Sequence, residues 1–358
     1  MSIGYLYFFF LQRCINVISS AVSAYILQNK KTIIRSEKGH KVTKMLELYK
    51  PEGTYLDTEE NRELCENLQG LEYAWNSGTV LEGIVRKCDN DRNLTVELGR
   101  FTGIIPRNEV VMPCGDEPVR DIAIITRVGK AVCVKITDIR KNQDGSPIIM
   151  LSRRKAQEEC FNNYVSHLLP GEIIDARITH IEPFGAFCDV GYGIISLLSV
   201  DCISVSRIRD PGDRFFVGQY IRCAVKSGLD EFGRITLTHK ELLGTWEENA
   251  AAYRAGETTM GIIRSVEPYG IFVELTPNLA GLAEWREDVK AGQTAAVYIK
   301  SIIPEKMKIK LVIVDTQNVA VNPGIPEYFI SDGRIDYWRY SPENSCKVVE
   351  TFFDGSAE

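Results

Sequence analysis

Along most of this chain, short apolar runs alternate with polar residues at period two and are broken by glycines. Leu94-Thr95-Val96-Glu97-Leu98 shows the pattern plainly, and it predicts a strand with one face buried. Such runs fall into three similar sets. The first begins at Gly78-Thr79-Val80-Leu81 and passes a glycine step at Gly103-Ile104-Ile105-Pro106. It closes with Val132-Cys133-Val134-Lys135-Ile136 and Ile148-Ile149-Met150-Leu151, joined through Asp144-Gly145. The second and third sets begin at Gly171 and Gly256. They close through Gly218-Gln219-Tyr220-Ile221-Arg222-Cys223-Ala224-Val225-Lys226 and Gly292-Gln293-Thr294-Ala295-Ala296-Val297-Tyr298-Ile299-Lys300. Short strands with glycine turns, repeated in tandem, predict small β-barrels at 78–152, 171–240 and 256–314. Helical spacing predicts helices over 61–75, 152–168 and 241–253. Residues 45–77 form a lead-in, and 315–358 an irregular tail rich in aromatics. The fold class is mainly β.

Inside the second and third sets one stretch recurs, as Glu182-Pro183-Phe184-Gly185-Ala186-Phe187 and Glu267-Pro268-Tyr269-Gly270-Ile271-Phe272. Side chains three apart on a regular strand point to opposite faces. A bulge or kink at Gly185 and Gly270 would bring the two rings of each copy onto one face. Two readings follow: a surface platform on which unpaired bases stack, or a kinked strand with both rings in the core. The repetition favours the platform. At the matching place the first set has Asp91, Arg92 and Leu94, which offer no stacking surface, so repeat one reads as a structural or protein-contacting unit.

Composition narrows the compartment and the partners. The 358 residues are 44% hydrophobic and 25% charged, which are globular values, and the net charge is −6. That excludes a wholesale polyanion binder but allows local basic faces. One is the loop with Arg207, Arg209 and Arg214, where phosphate contact and pairing with Asp210 and Asp213 are equally open. Another is the end of repeat three, with Lys300, Lys306, Lys308 and Lys310. Arg153, Arg154 and Lys155 form a third basic cluster, for which phosphate contact stays open and a solvated charged face is the commoner outcome. The ten cysteines include no Cys-x-x-Cys pair, which indicates buried thiols in a reducing, cytoplasmic compartment and no metal site. His40, His167, His180 and His239 are scattered and read as bland. Residues 1–44 match neither a membrane span nor a signal peptide, and Met45 is the expected initiator. No phosphate-binding loop or nucleophile elbow is present, so neither a catalytic site nor a cofactor nor a small-molecule substrate is expected.

The order Gly, Pro-[Phe/Tyr]-Gly-x-Phe, Gly, Val-Lys and Arg-Ile-x-Leu resembles the S1 RNA-binding domain family, whose members are five-stranded OB-fold barrels. The resemblance spans 78 to about 314 as three copies, and the whole arrangement is similar to the short S1-type ribosomal proteins of Gram-positive bacteria. Leu151-Ser152-Arg153-Arg154, Thr238-His239-Lys240-Glu241-Leu242-Leu243-Gly244-Thr245-Trp246 and Arg339-Tyr340-Ser341-Pro342-Glu343 add to it. The resemblance implies sequence-tolerant binding of single-stranded RNA, including mRNA, and support of translation on the small ribosomal subunit; whether repeat one makes the ribosome contact is open. By the same resemblance Phe184, Phe187, Tyr269 and Phe272 are the stacking residues. Asp230 and Arg234 are a polar pair, and Lys308 stands for the arginine in repeat three. Ser196 replaces a family histidine in repeat two, and Leu198 a serine. Glu284 and Pro304 replace the histidine and aspartate in repeat three. Lys226, Lys300, Arg207, Arg209 and Arg214 complete the expected RNA surface. Two rival readings are a protein-docking factor of the ribosome or RNA-processing machinery, and the accessory barrels of an enzyme.

Overall fold

In a computed structural model, which describes residues 48–113, 119–319 and 324–353, each strand set closes on itself. Barrel one comprises β1 (Leu81–Cys88), β2 (Leu94–Leu98), β3 (Phe101–Ile105), β4 (Ala131–Lys141) and β5 (Pro147–Ser152). Barrel two comprises β6 (Ile173–Glu182), β7 (Gly185–Asp189), β8 (Ile195–Ser199), β9 (Tyr220–Ser227) and β10 (Thr236–Thr238). Barrel three comprises β11 (Thr258–Glu267), β12 (Gly270–Thr276), β13 (Leu279–Ala283), β14 (Thr294–Ile303) and β15 (Lys308–Gln317). In all three, the third and fifth strands pair in parallel and the other pairs run antiparallel. Closure of a five-stranded barrel in this order is the OB arrangement. The alternation read from sequence is what fills it: Leu94, Val96 and Leu98 are wholly buried while Thr95 and Glu97 are not.

The first strand of every barrel carries a bulge at the same place, between Val85 and Lys87, Ile178 and His180, and Ile263 and Ser265. An extra residue there sharpens the twist and lets a short strand wrap around a narrow barrel. The fourth strand is bulged as well, around Thr137, Lys226 and Lys300.

The connecting helices are shorter than their spacing predicts. The expected helix over 61–75 is two, α1 (Glu59–Leu64) and α2 (Leu68–Ser77), because Asn67 caps a new start by accepting from Gly70 N at 2.9 Å. After α3 (Asp121–Ile125), α4 (Arg153–Asn163) links barrels one and two and gives way to a 3-10 turn at Val165–His167. The expected helix over 241–253 is interrupted by Gly244 at φ +79°. A 3-10 turn at Lys240–Leu243 precedes it, and the α-helical part is α5 (Trp246–Ala250), started by a Thr245/Glu248 capping box.

Two seams join the barrels. Between barrels one and two, the lead-in is pinned by a buried charge network. Arg153 Nε and Nη2 donate to Glu52 at 2.6 and 2.9 Å, and Glu52 also accepts from Cys133 N of β4. Glu52 N donates in turn to Asp189 of β7 at 2.8 Å. The basic cluster expected to be a solvated face is therefore split: Arg153 is fully buried, and Arg154 pairs with Glu109 at 2.7 Å.

The tail closes the other seam. Its Ile335, Trp338, Tyr340 and Phe353 join one core cluster with Ile173 of β6 and the interior of barrel three. Ile335 N donates to Gly171 O at 2.9 Å, and Tyr340 Oη to Asn278 O at 2.5 Å. Tyr328 Oη accepts from Arg222 N at 2.9 Å and lies 3.3 Å from His239 Nε2. The reading of residues 1–44 as a mis-assigned extension, with Met45 as initiator, falls outside the described residues.

Candidate nucleic-acid interface

The recurring aromatic stretch forms a hairpin tip and the start of a strand in both barrels. Phe184 lies in the two-residue turn between β6 and β7, and Tyr269 in the turn between β11 and β12; each is exposed, at 55% and 71%. Phe187 and Phe272 follow on the strands and are half-buried. The ring centroids are 6.0 Å apart for Phe184 and Phe187 and 6.1 Å for Tyr269 and Phe272, with interplanar angles of 90° and 83°. The rings are thus neighbours at right angles, an edge-to-face pair. A flat base can lie on one ring while the other walls its edge.

The glycines act differently from the expected kink. Gly185 opens β7 in register with Ser199, and a Cβ there would stand 2.6 Å from Leu198 O. Gly270 would place one 2.7 Å from Ala283 O. The glycine allows close passage of the next strand, and the hairpin turn brings the rings together. The bulge that shapes the surface sits across from the rings, on β6 and β11.

Register fixes what surrounds each ring. Phe187 pairs with His180 on one side and Leu197 on the other, and Leu197 with Thr236. Phe272 pairs with Ser265 and Leu282, and Leu282 with Lys310. In barrel one the same row reads Lys87, Thr95, Ile104 and Met150. The ring position of repeat one is therefore Thr95, while Leu94, one residue earlier, faces the core.

Sequence reasoning passed over His180. Its imidazole stacks on Phe187 at 6.1 Å and 27°, and Nε2 lies 2.7 Å from Glu182 Oε1. The signal was its distance from Phe187, which places it opposite that ring once the bulge is counted.

Lys226 and Lys300 occupy equivalent bulges beside the two rows, where barrel one has Thr137. Lys226 also reaches Cys202 Sγ at 3.2 Å. Lys300, Lys306, Lys308 and Lys310 are exposed, and among the described residues none has an ion pair, so their charge is open to solvent. Asp230 and Arg234 pair at 3.0 Å at the β9–β10 hairpin, where Asp230 also accepts from Phe232 N and Arg234 N. The Arg234 backbone N–H is the main reason that the Asp230 carboxyl titrates below its ordinary range. Arg234 lies over the Phe232 ring at 4.7 Å, so the pair first of all shapes this hairpin.

Two expected contacts are absent from the surface. Ser196 is buried at 3% exposure, because β8 alternates and Leu197 takes the outward place. The repeat-two counterpart of Glu284 is instead Ser199, since Leu198 pairs with Ala186 as Ala283 pairs with Ile271. Arg214 is 8% exposed and its fork donates to Glu274 of barrel three, with Nη1 at 2.7 Å. Glu274 also accepts from Arg264, which reaches Asp213 at 3.3 Å. Arg214 locks one barrel to the next and is withdrawn from solvent. Arg207 and Arg209 remain exposed.

Comparison with known proteins is consistent with this geometry. The family model described as S1 RNA binding domain matches residues 75–148 and 169–240, which are barrels one and two. Small ribosomal subunit protein bS1 of Rhizobium meliloti is 27% identical over 263 residues, covering 69% of this chain and 44% of that protein. The chain is a homologue of the S1-type ribosomal proteins. The bS1 homologue of Bacillus cereus is 27% identical over 283 residues, covering 76% of this chain and 69% of that protein. bS1 of Rhodopseudomonas palustris is 31% identical over 193 residues, covering 52% of this chain and 32% of that protein. The chain thus spans less than half of two of these S1 relatives. Barrel three lies outside the family-model match but shares the strand order, the bulges and the ring positions of an S1 domain.

Proposed function

We propose that this S1 homologue binds single-stranded RNA, mRNA among it, on barrels two and three, and supports translation at the small ribosomal subunit. The observation that carries this reading is the recurrence, at one register, of an exposed ring pair beside an uncovered lysine. Stacking on a ring is indifferent to base identity, and lysines follow the backbone, so the site recognises an unpaired strand without reading its sequence. Barrel one has Thr95 in the ring position and Thr137 in the bulge, and its row carries Lys87 opposite Thr95 but no ring. Its exposed Ile104, Ile122 and Ile125 suit contact with a protein of the small subunit. The relatives are named as ribosomal proteins, and the reading assigns this chain a binding role in the cytoplasm and no catalytic one. No helix among the described residues is long and apolar enough to cross a membrane.

Photocrosslinking of a thiouridine-labelled single strand to the full chain, followed by peptide mapping, tests the reading. Crosslinks within 180–187 and 265–272 are expected; crosslinks confined to barrel one or the tail would overturn it. Co-sedimentation with purified small subunits tests the translational half, and loss of pelleting on mutating barrel one is the expected result.

A further inference from the structure

The segment between β8 and β9 runs from the barrel-two ring pair to the strand that carries Phe272 and the turn that follows it. At its start, Val200 N donates to Phe184 O at 2.9 Å, so it leaves from the hairpin that carries the barrel-two ring. At its far side, Ser206 N donates to Pro277 O at 3.1 Å and Val205 N to Asn278 Oδ1 at 3.0 Å. Arg214 then forks onto Glu274, which lies two residues beyond Phe272 on β12 with buried Val273 between them. Alternation puts Phe272 and Glu274 on the same outward side of that strand. Arg214 therefore reaches β12 two residues from Phe272, while the Pro277 and Asn278 anchors stand at the other end of that strand. Val200 and Ser206 are six positions apart, so the anchor at the barrel-two hairpin and the one at the turn after β12 are at most about 22 Å apart.

The charges of the loop are sorted. Arg214 and Arg264 are neutralised by Glu274 and Asp213 at the seam. Asp210 accepts from Gly212 N through Oδ1 at 2.6 Å and caps the 3-10 turn at Pro211–Asp213. Arg207 and Arg209 project from the same loop, exposed and without an ion pair among the described residues. Two cations thus stand on a bridge anchored to both barrels, in a chain whose net charge is −6.

We propose that the two ring pairs and this bridge form one continuous site for a single RNA strand, in which Arg207 and Arg209 hold the phosphates that pass from barrel two to barrel three. The inference rests on the RNA reading above and deepens it: the barrels do not act as independent tethered binders. Guanidinium forks suit a backbone whose bases are stacked on either side. The seam at Arg214, Glu274 and Arg264 keeps the two sites in fixed relation, so a strand that fills both gives up little freedom in doing so.

The test uses the full chain and fluorescein-labelled oligouridylates of about 5 and about 15 nucleotides, the first sized for one barrel and the second for both. Arg207→Ala with Arg209→Ala is expected to weaken the long probe at least about tenfold and the short probe far less. The log-log salt slope for the long probe should fall by about 1.4, at roughly 0.7 for each phosphate no longer held. Equal weakening for both lengths, or none for the long probe, would overturn the continuous site. A variant with Phe184, Phe187, Tyr269 and Phe272 all changed to alanine separates the two levels. If it binds both probes like the wild type, the RNA reading itself falls. If it binds neither while the arginine pair has no length-dependent effect, only the bridge falls.

Discussion

Changing Arg153 to Met should unlock barrel one from barrel two. Arg153 is 1% exposed and holds Glu52 with two bonds, at 2.6 and 2.9 Å, and Val110 O with a third at 3.2 Å. Methionine fills most of the same space, so packing is largely kept. What remains is the Glu52 carboxylate, 5% exposed, with Arg127 no nearer than 3.9 Å and the buried Asp189 beside it. Leaving a buried charge without its partner costs about 3–5 kcal/mol. With a urea dependence of about 1–3 kcal/mol per molar, the unfolding midpoint of this seam falls by roughly 1–5 M. Tryptophan fluorescence and far-UV circular dichroism during urea unfolding read the change, with Trp75 on α2 reporting near barrel one. The double variant Glu52→Gln with Arg153→Met removes both charges and should recover most of the loss, since replacing a whole buried pair is often close to neutral. An unchanged midpoint in Arg153→Met, or a double variant as poor as the sum of the singles, would refute the assignment of this seam to the ion pair.

Three further outcomes follow from the same structure. Burial, and next to it the Glu52 charge, pushes the Asp189 carboxyl up to about 7 from an ordinary value near 4. A raised folded value means stability that is fully present below about 4 and lost as pH rises through about 7, so Asp189→Asn should abolish a decline of up to about 1.4 kcal/mol per pH unit in that window. Buried His239, lowered to about 4, works in the opposite sense, contributing stability above about 6.5 that is lost as pH falls through 4. Urea midpoints measured every half unit from pH 4.5 to 7.5 should therefore rise with pH in Asp189→Asn and stay flatter in the wild type. Gly171→Ala places a Cβ 1.9 Å from Ile335 O at a φ of +84°, so limited proteolysis should cut the tail between 324 and 353 faster in this variant. Leu94→Ala should cost about 2–5 kcal/mol of stability through a core cavity while RNA affinity stays unchanged; Thr95→Ala should alter neither.

The barrels were legible in the sequence because period-two alternation and glycine turns are local signals, and every repeat shows them. Helix lengths were less so: Asn67 and Gly244 restart the chain through a cap and a left-handed turn that apolar spacing does not register. The rings were found from repetition, but their arrangement depends on a hairpin turn and on a bulge in the neighbouring strand. That bulge shifts the count by one and conceals both His180 and Thr95. Ser196 was misplaced for a related reason, since its face is set by pairing with Cys188. Arg214 could not be told from Arg207 and Arg209 by sequence, because its partner Glu274 lies in another barrel.

The central claim is that the paired rings of barrels two and three bind unpaired RNA. Fluorescence anisotropy of a labelled single strand, titrated with the full chain at two salt concentrations, tests it most directly when the wild type is set beside the four-ring alanine variant. Each stacked base is worth about 1–3 kcal/mol, so removing even one stack weakens binding about 5- to 150-fold, and the four-ring variant should fall further while the salt slope changes little. Wild-type affinity in that variant would contradict the account and leave these barrels to protein contacts.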